Sequence, residues 1–152
     1  MRKLLTIATL ALAPFITLAD EKLKVVATPV PHAEILEFAK PLLKEREIDL
    51  DVMVVTDYVL PNMMLDEKEA DANFFQHQPY LDEFNQNHNL NLESIAAIHV
   101  EPFGAYSNKI KSKEELKKGA KVSIPNDAAN GGRALILLHN EGIITLNDPE
   151  NI

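Results

Sequence analysis

A strand-length apolar run followed by a helix-length amphipathic one recurs along this chain, and that alternation restricts the fold more than any other feature. Leu23-Lys24-Val25-Val26-Ala27 is β-branched and ends at Thr28-Pro29, as a short buried strand does. Over Pro31 to Arg46 the apolar residues Ile35, Leu36, Ala39, Leu42 and Leu43 fall at helical spacing, with Pro41 expected to kink or split the helix. Ile48 to Val55 alternates apolar with acidic residues, then turns continuously apolar, which predicts a strand exposed at one end. Thr56-Asp57 supplies an N-cap for a helix from Tyr58 to about Glu69, with Pro61 tolerated in its first turn. Asp71 to Phe75 predicts a third strand, and Gln78 to about Gln86 a helix with Pro79 at its start.

Beyond that point, Leu92 to Val100 and Pro102 to Ser107 read as strands. Ser112 and Glu115 form a capping box for a short helix that Gly119 stops. Lys121 to Ile124 reads as another buried strand, and Asn126 or Asp127 caps a helix through about Asn140, closed by Gly142. Strands alternating with helices, joined by connections long enough for crossovers, predict an α/β domain with a mostly parallel sheet flanked by helices. No strand signal follows the last helix, so the alternation reads as interrupted there.

Residues 1–19 stand apart. Arg2 and Lys3 precede an apolar run from Leu4 to Leu18, and Thr17-Leu18-Ala19 places small residues before a cut at Asp20. That order predicts a secretory signal peptide, with residues 20–152 as the exported domain. The run is short for a membrane span and contains Pro14. A chain of 152 residues predicts one domain, and its net charge of −8 argues against a nucleic-acid partner. The absence of cysteine excludes disulfides, thiolate metal ligands and a cysteine nucleophile, and leaves no residue near the cut for bacterial lipoprotein-type lipidation.

Two segments could carry chemistry. Phe75-Gln76-His77-Gln78-Pro79-Tyr80 follows a predicted buried strand, and ligands of open α/β sheets lie beyond the carboxyl ends of the strands. Phe75, His77 and Tyr80 there could hold an apolar side chain with a polar head, or the aromatics could simply be packing and His77 a satisfied loop residue. Pro125 to Arg133 likewise follows a predicted strand and opens a helix, whose free N–H groups favour an anion. Arg133 could grip a carboxylate bidentately and Asn130 could add an amide, while Gly131-Gly132 suggests a close backbone approach. The alternative is an ordinary capped helix with Arg133 in a surface ion pair.

Other chemistries find little support. His77, His88 and His99 fall on a loop, a helix end and a strand, so no metal site is expected from them. No G-x-x-x-x-G-K-[ST] or G-x-S-x-G motif is present, and Asp66, Glu67 and Glu69 lie on a solvated polar face. Nothing in the residues argues strongly for an enzyme.

Three segments taken in order resemble a known family: Thr56-Asp57-Tyr58-Val59-Leu60-Pro61-Asn62, then Asp71 through Asp82, then Val122 through Asn130 and Arg133. They look like the NlpA-type methionine-binding proteins, the substrate-binding components of bacterial methionine ABC transporters. Gly104-Ala105-Tyr106-Ser107 and Lys109-Ile110-Lys111-Ser112 also fit, and the resemblance covers nearly all of residues 22–147.

The resemblance implies a periplasmic binding protein-like (type II) fold of two α/β lobes that close around methionine. It implies that Tyr58, Phe75, His77 and Tyr80 surround the thioether side chain and amino-acid head, and that Asn130 and Arg133 complete the site, Arg133 pairing with the carboxylate. The implied partners are L- or D-methionine and the membrane permease of an importer, with a periplasmic location, no cofactor and no catalysis. Family members are usually lipoproteins and roughly twice this length, as two lobes of ordinary size require. The chain is therefore expected to hold the first lobe with the second largely missing, and to grip methionine weakly or not at all. Two rival readings are an exported surface antigen using one lobe, and a periplasmic enzyme using His77, whose pH profile would follow imidazole near its usual pKa of about 6.5.

Overall fold

The computed structural model describes residues 21–150, so the expected signal peptide lies outside the described residues. Three strands, β1 (Glu21–Ala27), β2 (Ile48–Val54) and β3 (Ala72–Phe74), form a sheet in the order β2-β1-β3. Both pairings are parallel: Val25 lies opposite Val52 on one side and Ala72 on the other. Parallel neighbours cannot be joined by a tight hairpin, so helices make the returns. α1 (Glu34–Lys44) carries the chain from β1 to β2, and α2 (Leu60–Asp66) carries it from β2 to β3, on the far side of β1.

β1 is the central strand and its end is the most deeply buried part of the sheet. Val25, Val26 and Ala27 are buried, Val26 completely, and Val26 packs with Met64 of α2 and Ala70. Met53, Val55 and Leu65 close the edges of this cluster. A second apolar layer consists of Tyr80, Leu81 and Phe84 on α3 (Gln78–His88), and a third of Ala134 and Leu138 on α4 (Ala128–Asn140).

The first half of the chain follows the sequence closely. Pro41 lies inside α1 without splitting it. Leu36, Ala39 and Leu43 are half-buried, while Ile35 and Leu42, from the same apolar stripe, are exposed, as is Phe38 at 77%. The helix after β2 is shorter than its pattern suggests. Its entry is held by the Asp57 carboxylate, which accepts from the Val59 and Leu60 N–H groups at 2.8 and 2.7 Å.

The second half departs from it. Leu92–Val100, Pro102–Ser107 and Lys121–Ile124 form no strands. A strand exists only where a neighbour completes its ladder, and none of the three described strands pairs with these segments. Their apolar side chains are correspondingly open, Val100 at 94% and Ile124 at 43%. The capping box expected at Ser112 does not form: its side chain makes no cap bond, and the segment is a single 3-10 turn, Lys113–Glu115. Gly119 and Gly142 do adopt the left-handed backbone that their stop positions require, with φ of 82° and 72°. Among the described residues no helix is long and apolar enough to cross a membrane.

Val26→Ala removes buried methyl groups from a site that cannot collapse around the sheet, so it should lower the unfolding free energy by about 2 kcal/mol. Phe38→Ala, on the open face of α1, should cost far less. Denaturant midpoints of the two variants test where the core lies.

Candidate functional site

The carboxyl ends of β2 and β3 carry the candidate residues. Tyr58 lies in the turn after β2, Phe75 directly after β3, and Tyr80 in the first turn of α3. Their rings form a triangle with centroid separations of 5.9 Å (Tyr58–Phe75), 5.8 Å (Phe75–Tyr80) and 6.2 Å (Tyr58–Tyr80). The pairs involving Tyr80 are edge-to-face, the arrangement that ring quadrupoles favour. The Tyr80 hydroxyl donates to the Tyr58 carbonyl at 2.8 Å and so ties α3 to the β2–α2 turn.

His77 is the N-cap of α3. Its Nδ1 accepts from the Tyr80 N–H at 3.2 Å, which leaves the ring proton on Nε2. That Nε2 is buried and has no partner among the described residues. A buried donor without an acceptor costs stability unless something else meets it.

An amide network fixes this loop from behind. Asn62 of α2 is fully buried. Its Nδ2 donates to Gln76 Oε1 at 2.9 Å, and Gln76 Nε2 donates back to Asn62 Oδ1 at 2.8 Å. Asn73 Nδ2 donates to the same Oδ1 at 2.8 Å and to the Pro61 carbonyl at 3.2 Å. Gln76 sits between Phe75 and His77, so this network sets where both point. The sequence reasoning missed it, although the amides at 62, 73 and 76 within otherwise apolar or aromatic surroundings are a visible signal.

Asn130 and Arg133 occupy the first two turns of α4. Asp127 is the N-cap, accepting from the Asn130 N–H at 2.8 Å and its Nδ2 at 2.9 Å. Arg133 Nη1 donates to Asn130 Oδ1 at 3.1 Å, and the guanidinium lies 4.7 Å from the centroid of the Phe103 ring. Phe103 was not foreseen; its cation–π contact steadies the charge without neutralising it.

At α4 one expectation is corrected and one is met. Two of the N-terminal N–H groups do not stand open for a foreign anion: Ala129 N–H donates to the Glu83 carboxylate of α3 at 2.7 Å, and Asp127 takes the next one. The close approach at the glycine pair is to the chain itself, since a Cβ on Gly131 would meet the Pro125 carbonyl at 3.1 Å.

Through Glu83 the two segments become neighbours. Between them lies an open cleft of about 530 Å³, lined by Thr56, Asp57, Tyr58, Tyr80, Glu83, Asn126 and Asp127 among others. Tyr58 and Tyr80 face this cleft, whereas Phe75, His77, Asn130 and Arg133 are not among its walls. The site residues thus fall into an aromatic–imidazole group and an Asn–Arg group bridged by α3. His77, His88 and His99 do not gather: His77 caps α3, and His88 stacks on Phe84 at 4.2 Å.

The chain belongs to the NlpA lipoprotein family, whose model matches residues 23–152. It is 47% identical to the methionine-binding lipoprotein MetQ of Bacillus subtilis over 128 residues, which is 84% of this chain and 47% of that protein. A lipoprotein from Ruminococcus gnavus has the same fold with a TM-score of 0.81 at 47% identity, over 86% of this chain and 54% of that one. A nutrient binding protein from Burkholderia cenocepacia, solved bound to methionine, matches with a TM-score of 0.78 at 38% identity, over 85% of this chain and 55% of that one. The periplasmic binding protein-like architecture expected from the sequence is the one these structures share. The chain spans about half the length of the curated relatives it matches.

Asn62→Leu keeps the number of side-chain heavy atoms but removes the hydrogen bonds that Asn62 makes to the half-buried amides of Asn73 and Gln76, and leaves Gln76 Oε1 without its donor. It should destabilise the chain by about 3 kcal/mol, read from the urea midpoint. The phenol of Tyr80 generates a second expectation. Burial, reinforced by the negative charges of Asp127, Asp57 and Glu83 and by Tyr58, pushes its pKa from 10.0 up to about 12. The folded phenol keeps its proton where the unfolded one has lost it, so this contribution is complete below pH 10 and is lost as the pH rises through 12. Tyr80→Phe should flatten the alkaline limb of a stability–pH curve; an unchanged limb would show that the phenol does not titrate in this way.

Proposed function

We propose that the chain is the first lobe of a substrate-binding protein that captures methionine, or a close amino acid, for an ABC importer and performs no covalent chemistry. The observation that carries this reading is the buried, unpartnered Nε2 of His77 next to the Tyr58–Phe75–Tyr80 rings. A preorganised donor beside aromatic faces suits a ligand with a polar head and a soft side chain, and a thioether gains about 0.3–1.5 kcal/mol from each aromatic contact. The name of the Bacillus subtilis relative and the methionine bound to the Burkholderia cenocepacia protein support the same ligand.

In this reading Tyr58, Phe75 and Tyr80 pack around the side chain, and His77 donates to the head group. Arg133 pairs with the carboxylate, using the donors that Asn130 does not take, and Asn130 holds the guanidinium in position. The membrane permease of the importer is the partner that receives the ligand, and the protein works outside the inner membrane in the cell envelope. The relatives' common description as lipoproteins supports that location.

Titration with L-methionine, followed by backbone amide resonances, tests this. Signals of residues 75–80 and 130–133 should move together with one saturation curve. Arg133→Ala should abolish the response, and methionine methyl ester, which lacks the carboxylate, should fail to produce it. An Arg133→Ala chain that responds as wild type, or segments 75–80 and 130–133 that saturate at different methionine concentrations, overturns the reading.

A further inference from the structure

We propose that His32, His99 and Glu101 form a binding site for a divalent transition metal, zinc by preference, that ties the segment after α3 to the sheet. Their ligand atoms, the two imidazole nitrogens and a carboxylate oxygen, all lie within 4.8 Å of one another. His99 Nε2 stands 2.8 Å from Glu101 Oε1, and His32 Nε2 stands 3.6 Å from the same oxygen. Bonds of 2.0–2.1 Å in tetrahedral geometry put ligand atoms about 3.4 Å apart, so the His32–Glu101 separation already suits zinc and the His99–Glu101 pair must open slightly to admit it. Two imidazoles and one carboxylate are a ligand set that zinc accepts, with the fourth position left to water.

The surroundings are built for ligation. His32 Nδ1 meets Thr28 Oγ1 at 2.8 Å in a buried contact. With Nδ1–H donating to the Thr28 hydroxyl oxygen, the Nε2 lone pair faces His99 and Glu101; such outer contacts orient metal-binding histidines. Burial lowers the pKa of His32, with Glu101 partly offsetting this and His99 adding to it. The Phe74 ring stands edge-on to both imidazoles, at 4.7 Å from His32 and 5.5 Å from His99.

The location separates this site from the methionine site. Phe74 and Phe75 are consecutive and project to opposite sides of the backbone. Phe74 meets the two histidines, and Phe75 meets Tyr58 and Tyr80. His32 lies in the turn after β1, whereas His99 and Glu101, two residues apart, lie in the irregular stretch after α3. A metal bound by all three would join chain positions nearly seventy residues apart in sequence and stabilise the fold by mass action.

Zinc and cobalt(II) binding to the 152-residue chain test the proposal. One equivalent of zinc should raise the thermal midpoint, and cobalt should give the visible absorption of a tetrahedral site at the same stoichiometry. His99→Ala and Glu101→Gln, both at the surface, should fold and lose both signals. Thr28→Val should weaken binding about tenfold through the orientation of His32. His139→Gln, in the last turn of α4, should bind as wild type. Absence of a one-to-one cobalt spectrum overturns the proposal. So does wild-type binding by His99→Ala and Glu101→Gln, or loss of binding in His139→Gln, which would place the metal elsewhere.

Discussion

The reciprocal amide pair between Asn62 and Gln76 is the interaction on which the site depends. A fully buried asparagine is tolerable only when its amide is met, and here Asn73 and Gln76 meet it. One amide belongs to α2, one to β3 and one to the loop that carries Phe75 and His77. The network therefore joins the crossover helix to the end of the edge strand and locks the loop between them. Polar networks of this kind specify one geometry because every slip leaves a group unpaired.

From that anchor the positions propagate outward. Gln76 holds the loop, His77 caps α3, and Tyr80 returns its hydroxyl to the Tyr58 carbonyl. Glu83, one turn further along α3, accepts from the first turn of α4 and brings Asn130 and Arg133 into the neighbourhood. The anion at the start of α4 is thus internal, and it does the work of packing. The charge of Arg133 lies over Phe103, and the Nε2 of His77 has no partner among the described residues.

Legibility differed between the two halves of the chain. Strands β1 to β3 and their connecting helices were readable because local pattern and tertiary environment agree there: β-branched runs pair in parallel and amphipathic helices return over the sheet. Leu92–Val100 and Lys121–Ile124 carry the same apolar pattern but have no ladder partner among the described residues. Periodicity reports that a segment would suit a sheet; it does not report whether a neighbour is there. The gathering of His32 with His99 and Glu101 was invisible for a related reason. The sequence displays histidines at even spacing, 77, 88 and 99, while the one that meets His99 lies far away along the chain.

The sequence by itself determined the α/β class, the order of the first strands and helices, the helix start at Gln78-Pro79, a cap at Asn126 or Asp127, and the ordered motifs that mark the family. These are local properties, set by side-chain shape, period and capping chemistry over a few residues. Only the tertiary structure decided that Phe74 and Phe75 serve different sides, that Glu83 fills the start of α4, that Asn62 holds the loop, and that Arg133 rests on Phe103. Each of those is a contact between distant residues, and its geometry follows from how the crossover helices pack, which no local pattern encodes.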